Sequence, residues 1–202
     1  MSTIATDRIQ YLQSRIARFD DQQAYKELFT SFFSYLYPFA LGIVKSKESA
    51  EEVVSDIFIK IWEKREALEK IANLKVYLYV ATRNKAFNYA DNQKRNATNS
   101  IEEFSVEFRS RYFDPEQLLI TAEMMNLIKK EIDRLPPKCR IIFKLVKEDN
   151  LKYKEVAEVL NISLKTVENQ LAIALRKIGN AVSFDISKTI SPHVSHSWLK
   201  KY

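Results

Sequence analysis

Residues 151–178 have the sequence LKYKEVAEVLNISLKTVENQLAIALRKI, which is the pattern of two helices joined by a tight turn. The first helix carries its apolar and small residues at Tyr153, Val156, Ala157 and Leu160. Asn161 and Ser163 then interrupt the periodicity, since Asn tolerates the left-handed backbone of a helix end and Ser caps the next helix. The segment therefore predicts a helical hairpin with a short, defined turn.

The second helix of this segment has an apolar and a polar face. The apolar face, at the spacing of an amphipathic helix, consists of Leu164, Val167, Leu171, Leu175 and Ile178. The polar face presents Lys165, Thr166, Glu168, Asn169, Ala172 and Arg176. A plain helical hairpin with solvated charges would share this periodicity. The tight turn, the small Ala157 at the helix crossing and the short polar face together favour a helix-turn-helix whose second helix enters a DNA major groove.

The composition of the whole chain limits its possible fold class and its cellular compartment. Only two glycines and five prolines in 202 residues argue against a turn-rich β protein, and the long amphipathic segments favour an all-α fold. The net charge of +6 is compatible with a polyanionic partner. The single cysteine, Cys139, excludes an intramolecular disulfide framework, and its apolar neighbours predict a buried structural thiol. Because residues 1–10 are polar and lack the apolar segment of a signal peptide, we expect a cytoplasmic protein.

The N-terminal part of the chain predicts a helical core. Up to about Asp20 we expect a weakly structured arm or a short amphipathic helix that uses Ile9, Leu12, Ile16 and Phe19. A helix rich in aromatic residues follows over residues 24–44, and Asp20 or Asp21 can cap it. Its most apolar run, residues 32–44, is too short to span a bilayer, which predicts a buried core helix.

Residues 46–66 predict an amphipathic helix with an acidic face. Its wide apolar stripe consists of Ala50, Val53, Val54, Ile57, Phe58, Ile61 and Trp62. Glu48, Glu52 and Asp56 stand four residues apart and line up on one face, where like charges repel each other. The row is either a solvated face or a docking surface for a basic partner, and spacing alone leaves both open. No metal-ligand set or second catalytic group accompanies these carboxylates, so we expect no enzymatic activity.

Residues 73–95 predict a third helix with a basic face. Five basic residues stand against the single acid Asp91: Lys75, Arg83, Lys85, Lys94 and Arg95. Interleaved with them are Tyr77, Tyr79, Asn84, Asn88 and Tyr89. Cations contact phosphates, Asn side chains read base edges and aromatic rings stack on unpaired bases, so the mixture favours nucleic-acid binding. A basic solvated helix is the alternative for this stretch.

The rest of the chain divides into a linker, a second domain and a tail. Residues 96–117 lose hydrophobic periodicity and are rich in acidic residues, which predicts a flexible acidic linker. Two helices separated by Leu135-Pro136-Pro137 then precede the helix-turn-helix, so residues 118–182 predict a compact helical domain. In the tail, residues 183–202, His193 and His196 are potential metal ligands without partners, and we expect no metal or cofactor.

Taken in order, these segments resemble a known family. An acidic-faced helix ending in IFIKIW is followed by NLKVYLYVATRNKAFNY, the acidic linker, LPPKCRIIF and KEVAEVLNISLKTVENQL. Over about residues 20–182 this order is similar to the extracytoplasmic-function (ECF) sigma factors, compact members of the sigma-70 family of bacterial RNA polymerase subunits. The resemblance implies a non-catalytic initiation factor that binds core RNA polymerase, directs it to promoters and helps open the DNA. It also implies control by an anti-sigma factor.

The resemblance assigns a role to each surface. The helix over residues 49–62 would dock on the clamp helices of the largest polymerase subunit through Glu48, Glu52 and Asp56. Family members often carry Gln-Glu where this chain has Ser55-Asp56, so the carboxylate is kept and the glutamine is lost. The connector Glu63 to Lys70 and the helix after it would melt and read the −10 element, the helix contributing Arg83, Asn84, Lys85 and Asn88. The second helix of the helix-turn-helix would read the −35 element through Lys165, Thr166, Glu168, Asn169 and Arg176.

We therefore expect an all-α protein of two small helical domains joined by a flexible acidic linker, the C-terminal one containing a helix-turn-helix. The expected divisions are an N-terminal arm (1–19), a region 2-like domain (20–95), the linker (96–117), a region 4-like domain (118–182) and a tail (183–202). The alternative is a free-standing helix-turn-helix transcriptional regulator. Such a regulator should carry an α/β receiver or ligand domain in front, and residues 20–95 show no βαβ alternation.

Overall fold

The computed structural model describes residues 5–94 and 122–189, and every regular element in these ranges is helical. The elements are α1 (Thr6–Phe19), α2 (Gln22–Val44), α3 (Lys47–Glu63), a 3-10 helix (Arg65–Lys70), α4 (Leu74–Lys94), α5 (Ala122–Asp133), α6 (Pro137–Lys147), α7 (Tyr153–Leu160) and α8 (Leu164–Thr189). The all-α prediction is confirmed. The predicted linker, 96–117, lies outside the described residues, as do His193 and His196 in the tail.

Local capping explains where several helices begin. Asp21 accepts hydrogen bonds from the backbone N–H groups of Gln23 and Ala24, both at 3.0 Å, and so starts α2. Ser46 caps α3 by accepting from the N–H of Ser49 at 3.2 Å. Before α4, the side-chain oxygen of Asn73 accepts from the N–H of Val76 at 3.1 Å. These caps satisfy N–H groups that the first turn of a helix cannot satisfy itself.

Helix α2 forms the centre of the N-terminal half. It packs against α1, α3 and α4, and the side chains on its inner face are almost fully buried: Leu28, Phe32, Leu36 and Phe39. By length and composition alone α2 would also be able to cross a membrane. Its contacts with three helices agree with the prediction of a core helix. Fully burying each large apolar side chain stabilises the fold by roughly 1.5–3 kcal/mol.

Helix α1 is part of the same core. Ile9, Leu12 and Ile16 are buried, and α1 packs against the 3-10 helix and α2. Phe19 was predicted on this face but is 65 % exposed, and the guanidinium of Arg15 lies 5.0 Å from its ring centroid. The helix ends at Phe19, and Asp20 follows it with a left-handed backbone (φ 51°).

The C-terminal half consists of α5 to α8. Pro137 occupies the first turn of α6, as predicted, since proline lacks the N–H that a first turn leaves unpaired. In the turn of the helix-turn-helix, Asn161 has a left-handed backbone (φ 53°) and Ser163 accepts from the N–H of Thr166 at 3.1 Å. Both features of the turn are therefore confirmed.

The apolar face predicted for α8 is only partly correct. Val167, Leu171 and Ala174 are buried, whereas Leu164 and Leu175 are more than a third exposed. On α7, Val156 and Val159 are buried and Tyr153 is exposed. The apolar spacing of α8 therefore predicts more buried positions than the described residues show.

Candidate nucleic-acid interface

The acidic face predicted on α3 is present. Glu48 and Glu52 are exposed, and Asp56 is partly exposed, one helical turn apart along the same side. The Ser46 hydroxyl donates to the Glu48 carboxylate at 2.8 Å. A hydrogen bond from its own backbone N–H lowers the pKa of Glu48, and the Ser46 hydroxyl adds to this effect. This end of the face is therefore held as an anion.

Helix α4 packs beside α3, and its polar side chains contact the acidic row. Lys85 Nζ lies 2.7 Å from Asp56 Oδ2, with about a third of each side chain exposed. Tyr89 donates its hydroxyl proton to Glu52 at 3.0 Å. Two carboxylates predicted to bind polymerase thus contact α4, the helix predicted to bind DNA. Partly exposed ion pairs contribute only about 0–1 kcal/mol, so another partner can displace them at small cost.

The residues predicted to contact the −10 element lie along α4. Asn84 and Asn88 are exposed and share a face, because residues four apart in a helix are neighbours. Arg83 donates to the side-chain oxygen of Asn84 from Nη2 at 2.7 Å and from Nε at 3.1 Å. The structure therefore brings Arg83, Asn84, Lys85 and Asn88 onto one stretch of helix.

Arg83 also makes a contact that sequence reasoning missed. Its Nη1 donates to the backbone carbonyl of Val159, on α7, at 2.8 Å. Farther back along α4, the side-chain amide of Asn73 donates to Glu155, also on α7, at 2.8 Å. Helix α7 thus lies against α4, and buried residues of both halves of the chain form one continuous hydrophobic cluster.

Tyr79 was placed among the nucleic-acid contacts, and that prediction is wrong. Its side chain is fully buried, and its hydroxyl donates to Asp149 Oδ2 at 2.7 Å. Lys75, from the same predicted basic face, donates to the backbone carbonyl of Asp149. Lys144 Nζ lies 3.6 Å from Asp149 Oδ1 and 2.8 Å from Glu148 Oε2. These residues form a buried polar cluster between α4 and the loop that precedes α7.

Burial and paired charges shift the ionisation of this cluster. Burial raises the pKa of Tyr79 well above its ordinary value, and the negative charge of Asp149 raises it further. Burial also raises the pKa of Asp149, while the positive charge of Lys144 works in the opposite direction. Burial alone would lower the pKa of Lys144, but the charges of Asp149 and Glu148 outweigh it and raise that pKa. Lys144 stands among Ile141, Ile142 and Leu145 in the sequence, a position that could have indicated a buried ion pair.

Helix α8 displays the residues predicted for the −35 element. Lys165, Asn169 and Arg176 are exposed, and Thr166 and Glu168 are partly exposed. Lys165 lies 3.5 Å from Glu168, in an exposed pair. The Thr166 hydroxyl is 2.8 Å from that of Ser163, so Thr166 belongs to the cap of the helix as well as to its outer face. The geometry presents a polar face that begins at the start of α8 and extends to Arg176, and an exposed helix N-terminus of this kind suits major-groove binding.

No group of three or more His, Cys, Asp or Glu side chains that could hold a metal occurs within residues 5–94 and 122–189. Cys139 is buried and its thiol donates to the Gln170 side chain at 2.8 Å. Burial raises the pKa of this thiol. The thiol is therefore structural, as predicted, since nucleophilic cysteines have a lowered pKa.

Family models match both halves of the chain. A model of sigma-70 region 2 matches residues 28–96, which include α3 and α4, and a model of sigma-70 region 4 matches residues 125–178, which include the helix-turn-helix. The chain belongs to the sigma-70 family. It is a sigma factor that directs promoter-specific transcription, and the free-standing regulator is not favoured.

Relatives and solved structures agree with this assignment. The chain is 26 % identical over 189 residues to the ECF RNA polymerase sigma-E factor of Escherichia coli K12, covering 90 % of this chain and 97 % of the relative. It is 22 % identical over 158 residues to the ECF RNA polymerase sigma factor SigW of Bacillus subtilis 168, covering 75 % and 84 %.

Two solved structures share the fold. One is CnrH in complex with the cytosolic domain of CnrY, with a TM-score of 0.52 and 20 % identity over 89 % of this chain and 99 % of that one. The other is the sigma factor RpoE in complex with the anti-sigma factor NepR from Bartonella quintana, with a TM-score of 0.52 and 21 % identity over 81 % and 99 %.

Proposed function

We propose that this sigma factor binds core RNA polymerase and promoter DNA through three surfaces of the described helices. The acidic face of α3 docks on the clamp helices of the largest subunit of core RNA polymerase. Helix α4 and the preceding 3-10 helix read and open the −10 element, and α8 reads the −35 element. The chain supplies no catalytic group or cofactor of its own and works in the cytoplasm, where polymerase and chromosome meet.

The observation that carries this proposal is the contact between the two N-terminal surfaces. Because Lys85 pairs with Asp56 at 2.7 Å, the acidic face and the basic helix are adjacent edges of one helical pair. A polymerase bound at Glu48, Glu52 and Asp56 would therefore hold promoter DNA directly beside Arg83, Asn84 and Asn88. This adjacency suits a factor that must couple polymerase binding to DNA opening.

Promoter opening requires a base to leave the stack, which costs a few kcal/mol. Arg83 and Lys85 are suited to phosphate contacts, and the amides of Asn84 and Asn88 are suited to base edges. Asn84 is exposed, and its side-chain oxygen already accepts two hydrogen bonds from Arg83. Arg83 thus orients Asn84, which leaves the NH2 group of the amide available to an extruded base.

Binding at the −35 element relies on the outer face of α8. Glu168 can accept a hydrogen bond from a cytosine amino group, and Asn169 can form two hydrogen bonds with adenine. Lys165 and Arg176 supply phosphate contacts at the two ends of this face. Thr166 completes the surface beside the helix cap.

We assign residues 20–95 to the polymerase and −10 domain and residues 118–182 to the −35 domain. Helix α7 lies against α4 and its Val159 carbonyl accepts from Arg83, so full access of DNA to Arg83 requires α4 and α7 to separate. We also propose control by an anti-sigma factor. The support is that RpoE, which shares the fold, was solved with the anti-sigma factor NepR.

A reconstitution tests the whole proposal. The purified chain is combined with core RNA polymerase and a library of promoter fragments, and bound and transcribed sequences are recovered. Promoters sharing two conserved blocks at −35 and −10 are expected. Lack of core binding, or initiation at no fragment, would contradict the proposal.

A further inference from the structure

Helix α1 holds the 3-10 helix that leads into α4. The two elements pack against each other, and Leu68 of the 3-10 helix is buried in the same hydrophobic cluster as Leu12 and Ile16. Residues 6–19 precede the region 2 match, which begins at residue 28. The family match therefore assigns no role to α1.

Gln13 makes the central polar contact between the two elements. Its side chain is only 5 % exposed, although the rest of the buried face of α1 is apolar. The amide nitrogen donates to the backbone carbonyl of Leu68 at 3.0 Å and to that of Ile71 at 3.0 Å. Both N–H groups of the amide are thus directed at the end of the 3-10 helix.

Charged contacts hold the outer side of the same element. Arg18 donates to Glu69 at 2.8 Å, and a hydrogen bond from Ser14 together with that from Arg18 lowers the pKa of Glu69. At the other end, the guanidinium of Arg65 donates to Asp20, just after α1. A 3-10 helix has poorer hydrogen-bond geometry than an α-helix and is rarely this long without support. The conformation of residues 65–71 therefore depends on α1.

We propose that Gln13 is a positioning residue for promoter opening. By binding the Leu68 and Ile71 carbonyls, it fixes the path of the 3-10 helix, whose exposed side carries Glu66, Ala67 and Lys70. Under the proposed function, that exposed side is the one that would meet the strand released at the −10 element. This inference rests on the proposed function of the 3-10 helix and extends it to a residue on α1.

The chemistry of the contact explains why glutamine suits this position. A neutral amide supplies two donors to two carbonyl oxygens and buries no charge, whereas a carboxylate would offer only acceptors. Methionine has a similar length and shape but no donor. Replacing Gln13 with Met therefore removes the two hydrogen bonds while filling nearly the same volume.

The test compares holoenzymes containing the wild-type chain, Gln13→Met and the matched control Gln10→Met, whose side chain is exposed on the same helix. Core affinity is measured by fluorescence titration. Open-complex formation is then measured on duplex promoter and on the same promoter with a mismatched, pre-opened −10 segment. We expect Gln13→Met to reduce open-complex formation about tenfold on the duplex promoter and less than twofold on the pre-opened promoter. Its affinity for core polymerase should be unchanged. Gln10→Met should match the wild type on both.

A second variant, Gln13→Glu, guards against an effect specific to methionine. Its carboxylate would face the two carbonyls without a donor, so the loss on duplex promoter should equal or exceed that of Gln13→Met. The proposal would be overturned if Gln13→Met reduced open-complex formation equally on both templates. It would also be overturned if core affinity fell by the same factor as open-complex formation, because either result would show a merely structural role. If the wild-type holoenzyme initiates on neither template, the proposed function itself fails, and this inference fails with it.

Discussion

The phenolic oxygen of Tyr79 lies 2.7 Å from a carboxylate oxygen of Asp149, and this buried hydrogen bond ties α4 to the loop between α6 and α7. It joins a residue of sigma-70 region 2 to one of region 4. Around it, Lys75 and Lys144 supply positive charge to the same loop. The two halves of the chain are therefore connected by a specific polar contact within an apolar interface.

The Tyr79 contact can be tested with Tyr79→Phe. The change removes the hydroxyl and leaves a buried carboxylate short of one donor, which should lower the free energy of unfolding by about 1–3 kcal/mol. Tyr77→Phe is the matched control, because Tyr77 is 46 % exposed on the same helix. Urea unfolding of both variants gives the comparison. Equal stability of the two would show that the bond contributes nothing.

Acid should weaken the cap of α2 in a way that depends on Asp21. The N–H of Ala24 holds the pKa of Asp21 below its ordinary value, with Arg15 adding to the effect. A lowered folded-state pKa gives stability that is present above the unfolded pKa, about 3.9, and is lost as pH falls through the folded pKa. Asp21→Asn keeps a capping acceptor but has no titrating group. Its urea unfolding midpoint should therefore fall less between pH 6 and pH 3 than that of the wild type.

The control for this experiment is Ser163→Asn, which exchanges one non-titrating cap for another at the start of α8. Its urea midpoint should change with pH as the wild type does. A wild-type pH profile in Asp21→Asn would mean that titration of this cap does not contribute to acid unfolding.

Local signals explain what the sequence predicted well. Asp21, Ser163 and Pro137 act on backbone groups within four residues of themselves, so their roles follow from neighbouring residues alone. The helices and the turn at Asn161 were predicted for the same reason. The polar face of α8 was also predictable, because it repeats with the period of a helix.

Contacts between distant segments were not predictable in this way. Tyr79 and Asp149 are 70 residues apart, and helical periodicity cannot show that a tyrosine on a basic helix meets a buried carboxylate. Leu164 and Leu175 have the spacing of core residues, yet both are more than a third exposed, because spacing shows which residues share a face and not which neighbours cover it. Gln13 stands among apolar positions, but only the path of the 3-10 helix shows which carbonyls it binds.

Substitutions at the two residues of the Asp56–Lys85 pair should affect polymerase binding and DNA opening differently. Asp56→Lys reverses one charge of the acidic face and should weaken core binding about tenfold or more, while stability changes by only about 0–1 kcal/mol. Lys85→Met breaks the same pair but keeps all three carboxylates, so core affinity should persist and open-complex formation should fall. Fluorescence titration and permanganate footprinting measure the two properties. Identical effects of the two variants would contradict the division of roles.

Asn84 should act after polymerase binding. Asn84→Ala removes an amide proposed to contact an extruded base and should reduce opening of the cognate promoter about tenfold, with core affinity unchanged. Asn150 is unsuitable as a control because its backbone is left-handed, so Asn92→Ala, farther along α4, is used. Permanganate reactivity of the −10 thymines gives the readout. Normal opening by Asn84→Ala would remove this residue from the −10 site.

The −35 surface should distinguish base contacts from phosphate contacts. Lys165 is 77 % exposed at the side chain, next to the cap of α8, and we expect Lys165→Ala to weaken all promoters alike and to lower the salt slope of binding by about one. Asn169→Ala should instead relax the preference at one base pair, at a cost of about 1–3 kcal/mol on the preferred sequence. Competition binding against a panel of single-base variants, repeated at several salt concentrations, separates these outcomes. A uniform loss in Asn169→Ala with a reduced salt slope would make it a backbone contact, because only a base contact can change sequence preference while leaving the number of neutralised phosphates the same.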